Sequence, residues 1–334
     1  MARSGWIIID KPVGIGSTGC VGLVKRALRD AGEAKTKVGH GGTLDPLASG
    51  VLPIALGEAT KLAGFMLDAT KAYDFTIRFG AQTDTLDLEG TVIATSDHRP
   101  TLAEIEAALP TFTGLIEQIP PAYSALKVDG KRAYDRARAG EEVVLKSRSV
   151  TVHTLKVLPT GSGGEGDHSN SGEGVLLESF ANPSTILRMV PLPVRADGVE
   201  LTSITLSATV SKGTYIRSVA RDLALALGTV GHVTMLRRTR AGPFDLSQAI
   251  SLDFLDRAAR SRELDGAVLP LIAGLDDIPA LPVTSDDARM LRVGQRLAGN
   301  PAAPGLYLAT DAHRPVALVE VAAGDVKVVR GFNI

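Results

Sequence analysis

At 334 residues, with 44% hydrophobic and 22% charged positions, the chain has room for one large domain and a small appendage, and the make-up of an ordinary globular protein. Cys20 is its single cysteine, which excludes an intrachain disulfide and a cysteine-rich zinc site and suits a reducing cytoplasm; the six histidines lack metal-ligand spacing. A formal net charge of −1 excludes a uniformly basic nucleic-acid binder, so a surface for a polyanion has to be local.

Residues 6–9 form an apolar run suited to a buried strand. The run is too short for a signal-peptide core, and no stretch approaches the length needed to cross a bilayer, so a cytoplasmic location is expected. Ser17 or Thr18 is placed to cap a helix reaching residue 31, with Val21, Val24, Leu28 and Ala31 on one face. A helix over 59–67 and a strand over 72–79 follow, the strand carrying Tyr73, Phe75, Ile77 and Phe79 on one side. Thr101-Leu102-Ala103-Glu104 has the capping-box pattern before a helix reaching 109. Segment 119–140 begins as a Pro-Pro loop and ends in a basic helix, and 143–158 reads as a strand. Residues 160–174 are rich in Gly and Ser without apolar period, and the whole region 159–202 reads as a variable insertion. A strand over 204–210, a helix over 215–227 and a strand over 233–236 entering an Arg-rich turn complete the larger part. From residue 272 the character changes to short β-type runs at 306–309, 316–321 and 326–329, a small β-rich domain. Strands and helices mix without regular βα alternation, which points to an α+β fold.

Two segments concentrate positive charge. Between positions 212 and 240, Lys212, Arg217, Arg221, Arg237, Arg238 and Arg240 stand against Asp222 alone, and 127–148 carries seven basic residues against four acidic ones. Such runs are often only solvated faces, but in an otherwise acidic chain they are also the places where a polyanion could be met. Gly14-Ile15-Gly16-Ser17-Thr18-Gly19 matches G-x-G-x-x-G. A dinucleotide site is nevertheless disfavoured: Asp10-Lys11-Pro12 separates the strand from the first glycine, and no second strand ends in an acidic residue at the required distance. The most informative stretch is Lys37-Val38-Gly39-His40-Gly41-Gly42-Thr43-Leu44-Asp45-Pro46-Leu47-Ala48-Ser49-Gly50-Val51-Leu52-Pro53. Its glycines permit torsions other residues avoid, and Pro46 biases Asp45 toward an extended backbone, so that a carboxylate is aimed from a rigid base. An isolated Asp-Pro pair would be only a turn former.

This run closely resembles the signature of the TruB family, the bacterial tRNA pseudouridine synthases that isomerise uridine 55 of the T loop. The resemblance extends through Asp10-Lys11-Pro12-Val13-Gly14, Lys71-Ala72-Tyr73, Thr83-Asp84-Thr85-Leu86-Asp87-Leu88-Glu89-Gly90, Ile119-Pro120-Pro121-Ala122-Tyr123-Ser124-Ala125-Leu126-Lys127, Ser211-Lys212-Gly213-Thr214-Tyr215-Ile216-Arg217 and Leu236-Arg237-Arg238-Thr239-Arg240. It implies a mixed, largely antiparallel sheet with flanking helices over 1–271, within which 119–150 is a basic RNA-contacting insertion, and a small PUA-like module over 272–334. It further implies Asp45 as the catalytic carboxylate, His40 filling the place of the flipped base, Tyr73 stacking on it and Arg217 pairing with Asp45. Tyr215 and Leu236 would line the uracil pocket, and Lys212, Arg237 and Arg238 would meet the RNA backbone. No cofactor or metal is expected, the partner is the tRNA T-arm, and the enzyme is expected to work alone as a monomer. Gly41 stands where many members carry threonine. Two other readings remain open: a noncatalytic RNA-binding or RNA-folding module on the same fold, and a dyskerin-like enzyme working with guide RNA and protein partners.

Overall fold

The computed structural model describes residues 3–124, 126–128, 130–141, 143, 145–158, 199–275, 278–312 and 314–332. The expected Gly/Ser-rich loop and nearly all of the 159–202 insertion lie outside them. In chain order the strands are β1 (Gly5–Lys11), β2 (Val38–His40), β3 (Ser49–Leu56), β4 (Lys71–Phe79), β5 (Ala81–Thr83), β6 (Val92–Thr95), β7 (Gly114–Gln118), β8 (Lys127–Val128), β9 (Lys131–Arg132), β10 (Arg148–Val157), β11 (Ser203–Val210), β12 (Gly231–Ala241), β13 (Phe244–Asp245), β14 (Ala280–Pro282), β15 (Gly305–Asp311), β16 (Arg314–Ala322) and β17 (Asp325–Gly331). The helices are α1 (Ser17–Asp30), α2 (Ala63–Asp68), α3 (Leu102–Ala108), α4 (Ala133–Arg138), α5 (Ile216–Ala226), α6 (Leu252–Ser261) and α7 (Ser285–Arg292). The mixture is α+β with largely antiparallel sheets, as expected. Among the described residues, no helix is long and apolar enough to cross a membrane.

The chain divides into two compact units, one of residues 3–73 with 237–332 and one of 74–236; the division falls inside β4 and β12. In the first unit, β3 pairs along its length with antiparallel β1, meets β2 at Ile54–Leu56, and runs parallel to β12 at Ser49 and Gly50. β1 and β3 read as nearly unbroken apolar runs because both of their faces are covered: Trp6, Ile7, Ile8, Ile9, Val51, Leu52 and Ile54 are all buried. The C-terminal sheet has the order β14-β15-β16-β17. Alternation along its strands sends neighbouring residues to opposite faces. Leu308 and Leu318 join the core built on Trp6, Val51 and Phe244, while Ala309, Ala317 and Val319 pack with Leu281, Ala288 and Leu291 beneath α7. In the second unit the sheet order is β12-β4-β11-β10-β7, beside the β5-β6 and β8-β9 hairpins. The capping box at α3 is present as the sequence predicts, with the Thr101 side chain accepting from the Glu104 N–H.

Two local expectations are corrected. The basic stretch after Leu236 is not a turn: β12 continues through Arg237, Arg238 and Arg240 to Ala241, and the chain turns only at Gly242, φ +58°. Alternation turns Arg237 and Arg238 to opposite faces, and Arg238 is buried; Arg240, on the same face as Arg238, is exposed near the end of the strand. Nor does Ser17 or Thr18 cap α1, whose N-cap is Gly16 without a side-chain cap bond.

Candidate active site

Asp45 lies in the connection between β2 and β3, and the backbone around it is held carbonyl by carbonyl. Arg238, 1% exposed in β12, donates from Nη2 to Gly42 O (3.4 Å), from Nη1 to Thr43 O (3.3 Å) and from Nε to Val51 O (2.8 Å). Ser17 Oγ donates to Leu44 O at 3.0 Å and accepts from Leu44 N at 2.8 Å. Ala48 N donates to Asp45 O at 3.1 Å. Pro46 O receives the Gly14 N–H at 2.9 Å and Lys11 Nζ at 3.2 Å. Five consecutive carbonyls, from Gly42 to Pro46, are therefore occupied, which leaves the Asp45 side chain on a backbone with little freedom to turn.

The three clamping side chains come from β1, α1 and β12. Lys11 is fully buried and also donates to Pro12 O (2.9 Å) and Ile15 O (2.7 Å), fastening the Asp-Lys-Pro turn to the loop. Burial pushes its pKa down, assisted by the Arg238 charge and opposed by Cys20 and Asp45. The glycines serve different ends. Gly42 takes φ +143° beneath the Arg238 guanidinium, and Gly50, φ +100°, lets β12 approach so closely that a Cβ would stand 2.1 Å from Arg238 O. Gly41 has no positive φ, and what it supplies is space. A Cβ there would lie 2.7 Å from Met66 Cβ, so this chain fills with methionine the room a threonine would need.

His40 ends β2, half-buried opposite Ile54. Its Nδ1 is buried without a hydrogen-bond partner among the described residues. Burial, and secondarily the Arg238 charge, pushes its pKa below the ordinary value. Tyr73 is half-buried in β4, and Arg237 is paired with Asp10, Nη2 to Oδ2 at 2.8 Å. Of the expected phosphate-binding cations, Arg238 is corrected: its guanidinium is interior and engaged with loop carbonyls. Strand alternation sets its side chain on the face opposite to that of Arg237.

In the second unit, Tyr215 and Arg217 stand at the start of α5. Gln118, fully buried at the end of β7, brackets the Tyr215 backbone: Tyr215 N donates to Oε1 at 2.8 Å, and Nε2 donates to Tyr215 O at 3.1 Å. The Arg148 guanidinium lies 4.9 Å from the centre of the Tyr215 ring. Arg217 is buried; Nη1 donates to Asp87 Oδ2 (3.0 Å) and Thr85 O (2.7 Å), and Nη2 to Tyr123 O (3.0 Å). Leu86, between those two acceptors, adopts φ +63°, a conformation uncommon outside glycine that turns Thr85 O and the Asp87 carboxylate to the same guanidinium. Asp87 is held in turn by Thr85 Oγ1 at 2.6 Å and Glu89 N at 3.0 Å. Leu236 is half-buried in β12 and Lys212 is exposed in the turn before α5. Lys11, Ser17, Asp87 and Gln118 were not singled out from sequence as site residues. Lys11, Ser17 and Asp87 lie inside the quoted motifs, and Gln118 immediately precedes one.

Family models match at two places: the N-terminal domain of TruB family pseudouridylate synthase over residues 27–167, and the C-terminal domain of tRNA pseudouridylate synthase B over 217–276. A protein of Novosphingobium aromaticivorans named tRNA pseudouridine synthase B is 55% identical over 330 residues, covering 99% of this chain and 97% of its own. The chain belongs to the TruB family. A second TruB relative, from Zymomonas mobilis, is 52% identical over 332 residues, with 99% and 97% coverage. Among solved structures, a chain of an archaeal box H/ACA sRNP complex superposes with TM-score 0.65 at 21% identity, covering 98% of this chain and 85% of that one. A chain of an H/ACA RNP bound to a substrate RNA containing 2'-deoxyuridine gives TM-score 0.66 at 22% identity, with 99% and 85% coverage. At those identities the likeness shows a shared fold.

Proposed function

We propose that this protein isomerises uridine to pseudouridine at position 55 in the T loop of tRNA, with Asp45 as the catalytic carboxylate. One observation carries the reading beyond family membership: Asp45 sits in a loop whose backbone is tied at every carbonyl from Gly42 to Pro46, an arrangement with no purpose for a mere turn and a direct one for an aimed carboxylate. The target uridine is stacked in folded tRNA and has to be extruded before its glycosidic bond can be reached. His40 takes the vacated place and Tyr73 stacks on the flipped base, as aromatic faces do in RNA recognition. Tyr215 and Leu236 line the uracil pocket, and Arg217 is held in place by Asp87.

The reaction cleaves the bond between N1 and C1′, rotates the freed uracil and joins C5 to C1′, with a proton lost from C5 and one gained at N1, so that product and substrate are isomers. Asp45 acts either as nucleophile at C1′ or as base on the 2′ proton; both routes need one carboxylate and neither consumes a redox or group-transfer cofactor. Lys212 and Arg237 meet the RNA backbone. The catalytic domain spans 1–271, including the RNA-contacting segment 119–150, and 272–334 forms a PUA-like RNA-binding module; the enzyme acts as a cytoplasmic monomer on the T-arm. The test is incubation of purified protein with an unmodified tRNA transcript, without metal or cofactor, and mapping of pseudouridine at single-nucleotide resolution. Product confined to uridine 55 is expected; product elsewhere only, or none from a folded protein that binds tRNA, would refute the assignment.

A further inference from the structure

Ser17 opens α1 and is 4% exposed. A serine at a helix start ordinarily turns its hydroxyl to the free N–H groups of the first turn. Here it turns away, and both hydrogen bonds go to Leu44, 27 residues on: Oγ donates to Leu44 O at 3.0 Å and accepts from Leu44 N at 2.8 Å. The consequence for Asp45 is geometric. Leu44 C=O and Asp45 N belong to one planar peptide unit, so holding that carbonyl holds the plane from which the Asp45 side chain departs, while the bond to Leu44 N holds the plane before it. Lys11 and Arg238 grip carbonyls on either side, at Pro46 and at Gly42 and Thr43. Ser17 grips both peptide planes adjoining Leu44.

We propose that Ser17 is a positioning residue for catalysis, whose hydroxyl sets the direction of the Asp45 carboxylate and so the rate of the chemical step, leaving affinity for RNA untouched. The inference rests on Asp45 being the reactive carboxylate. Its signature is a split between rate and binding, which a purely structural serine would not produce.

The experiment compares wild type, Ser17→Ala, Ser17→Cys and Asp45→Asn in single-turnover pseudouridine formation, with enzyme in excess over an unmodified tRNA transcript. Equilibrium binding of the same transcript and thermal unfolding are measured for each protein. Ser17→Ala is expected to react at least about tenfold more slowly, because a small misalignment of a reacting group is enough for that loss, with Kd within about twofold of wild type. Ser17→Cys, a weaker donor and acceptor of similar shape, is expected to fall between the two. A wild-type rate in folded Ser17→Ala would overturn the proposal, and so would equal losses of rate and affinity. Should Ser17→Ala not fold, Ser17→Cys decides by the same two criteria. An active Asp45→Asn would overturn the underlying reading as well, whereas inactive Asp45→Asn beside full-rate Ser17→Ala would sink this proposal alone.

Discussion

Arg238 offers the sharpest separation between two uses of a basic residue. Replacing it with methionine keeps most of the apolar stem and removes the guanidinium from Val51 O, Thr43 O and Gly42 O, at 2.8, 3.3 and 3.4 Å. The short charge-assisted bond is worth about 1.5–3 kcal/mol and each long one about 0.5–1 kcal/mol, so the gross loss is about 2.5–5 kcal/mol. Relief of burying a cation returns part of this, roughly 1–2 kcal/mol, and the net destabilisation expected is about 0.5–4 kcal/mol. A fold of ordinary stability survives that loss, so the rate of Arg238→Met can be measured alongside its urea midpoint. The variant should be less stable and slower in single turnover at nearly unchanged tRNA affinity. Arg238→Lys should recover little, because an ammonium cannot span three carbonyls as the planar fork does. Stability within about 0.5 kcal/mol of wild type, together with weaker tRNA binding and a salt slope smaller by about 1, would refute the loop-clamp argument and restore Arg238 to the RNA surface.

Gly41→Thr should destabilise this chain by about 1–3 kcal/mol through overlap with Met66, and Met66→Ala should recover part of that cost in the double variant; additive losses in urea denaturation would contradict the packing argument. Thr101→Ala removes the α3 cap and should cost about 1 kcal/mol by the same measurement without altering activity. His40 is held below its ordinary pKa of 6.5, so the folded state favours the neutral ring: stability linked to it is complete above that value and declines as pH falls toward the folded value. Between about pH 7.5 and about pH 5.5 wild type should therefore lose more thermal stability than His40→Gln, and parallel curves would speak against the linkage. Transcript affinity should fall as salt rises, and Lys212→Ala should lower the slope of log affinity against log salt by about 1; an unchanged slope would remove Lys212 from the interface.

What the sequence disclosed depended on whether the physics was local. Alternation in 72–79, the Thr101 capping box and the apolar run at 6–9 each reflect near-neighbour constraints, and β4, α3 and β1 appear where those constraints put them. The Asp45 loop was legible as a rigid base because glycine and proline announce themselves in one dimension. The clamps on it were not, since Ser17, Lys11 and Arg238 reach it from 27, 35 and about 195 residues away, and a hydroxyl near a helix start looks like a cap until its partner is known. The Arg-rich stretch misled for a related reason: charge density suggested a solvated turn, while the stretch is strand and Arg238 is buried against carbonyls of a distant loop. Gly41 shows the reverse case: the side chain that fills the space beside it, Met66, lies two dozen residues on in α2.

The most direct test of the central claim is Asp45→Asn, which removes the charge and the nucleophile while preserving shape and most hydrogen bonding. Wild type and variant are given the same unmodified tRNA transcript, pseudouridine is mapped at single-nucleotide resolution, and binding of that transcript is titrated in parallel. The account predicts product at uridine 55 with wild type, none with Asp45→Asn, and affinities within about threefold of each other, since a carboxylate beside anionic RNA adds little to binding. Product from Asp45→Asn at a rate near wild type, or loss of product matched by an equal loss of binding, would contradict it.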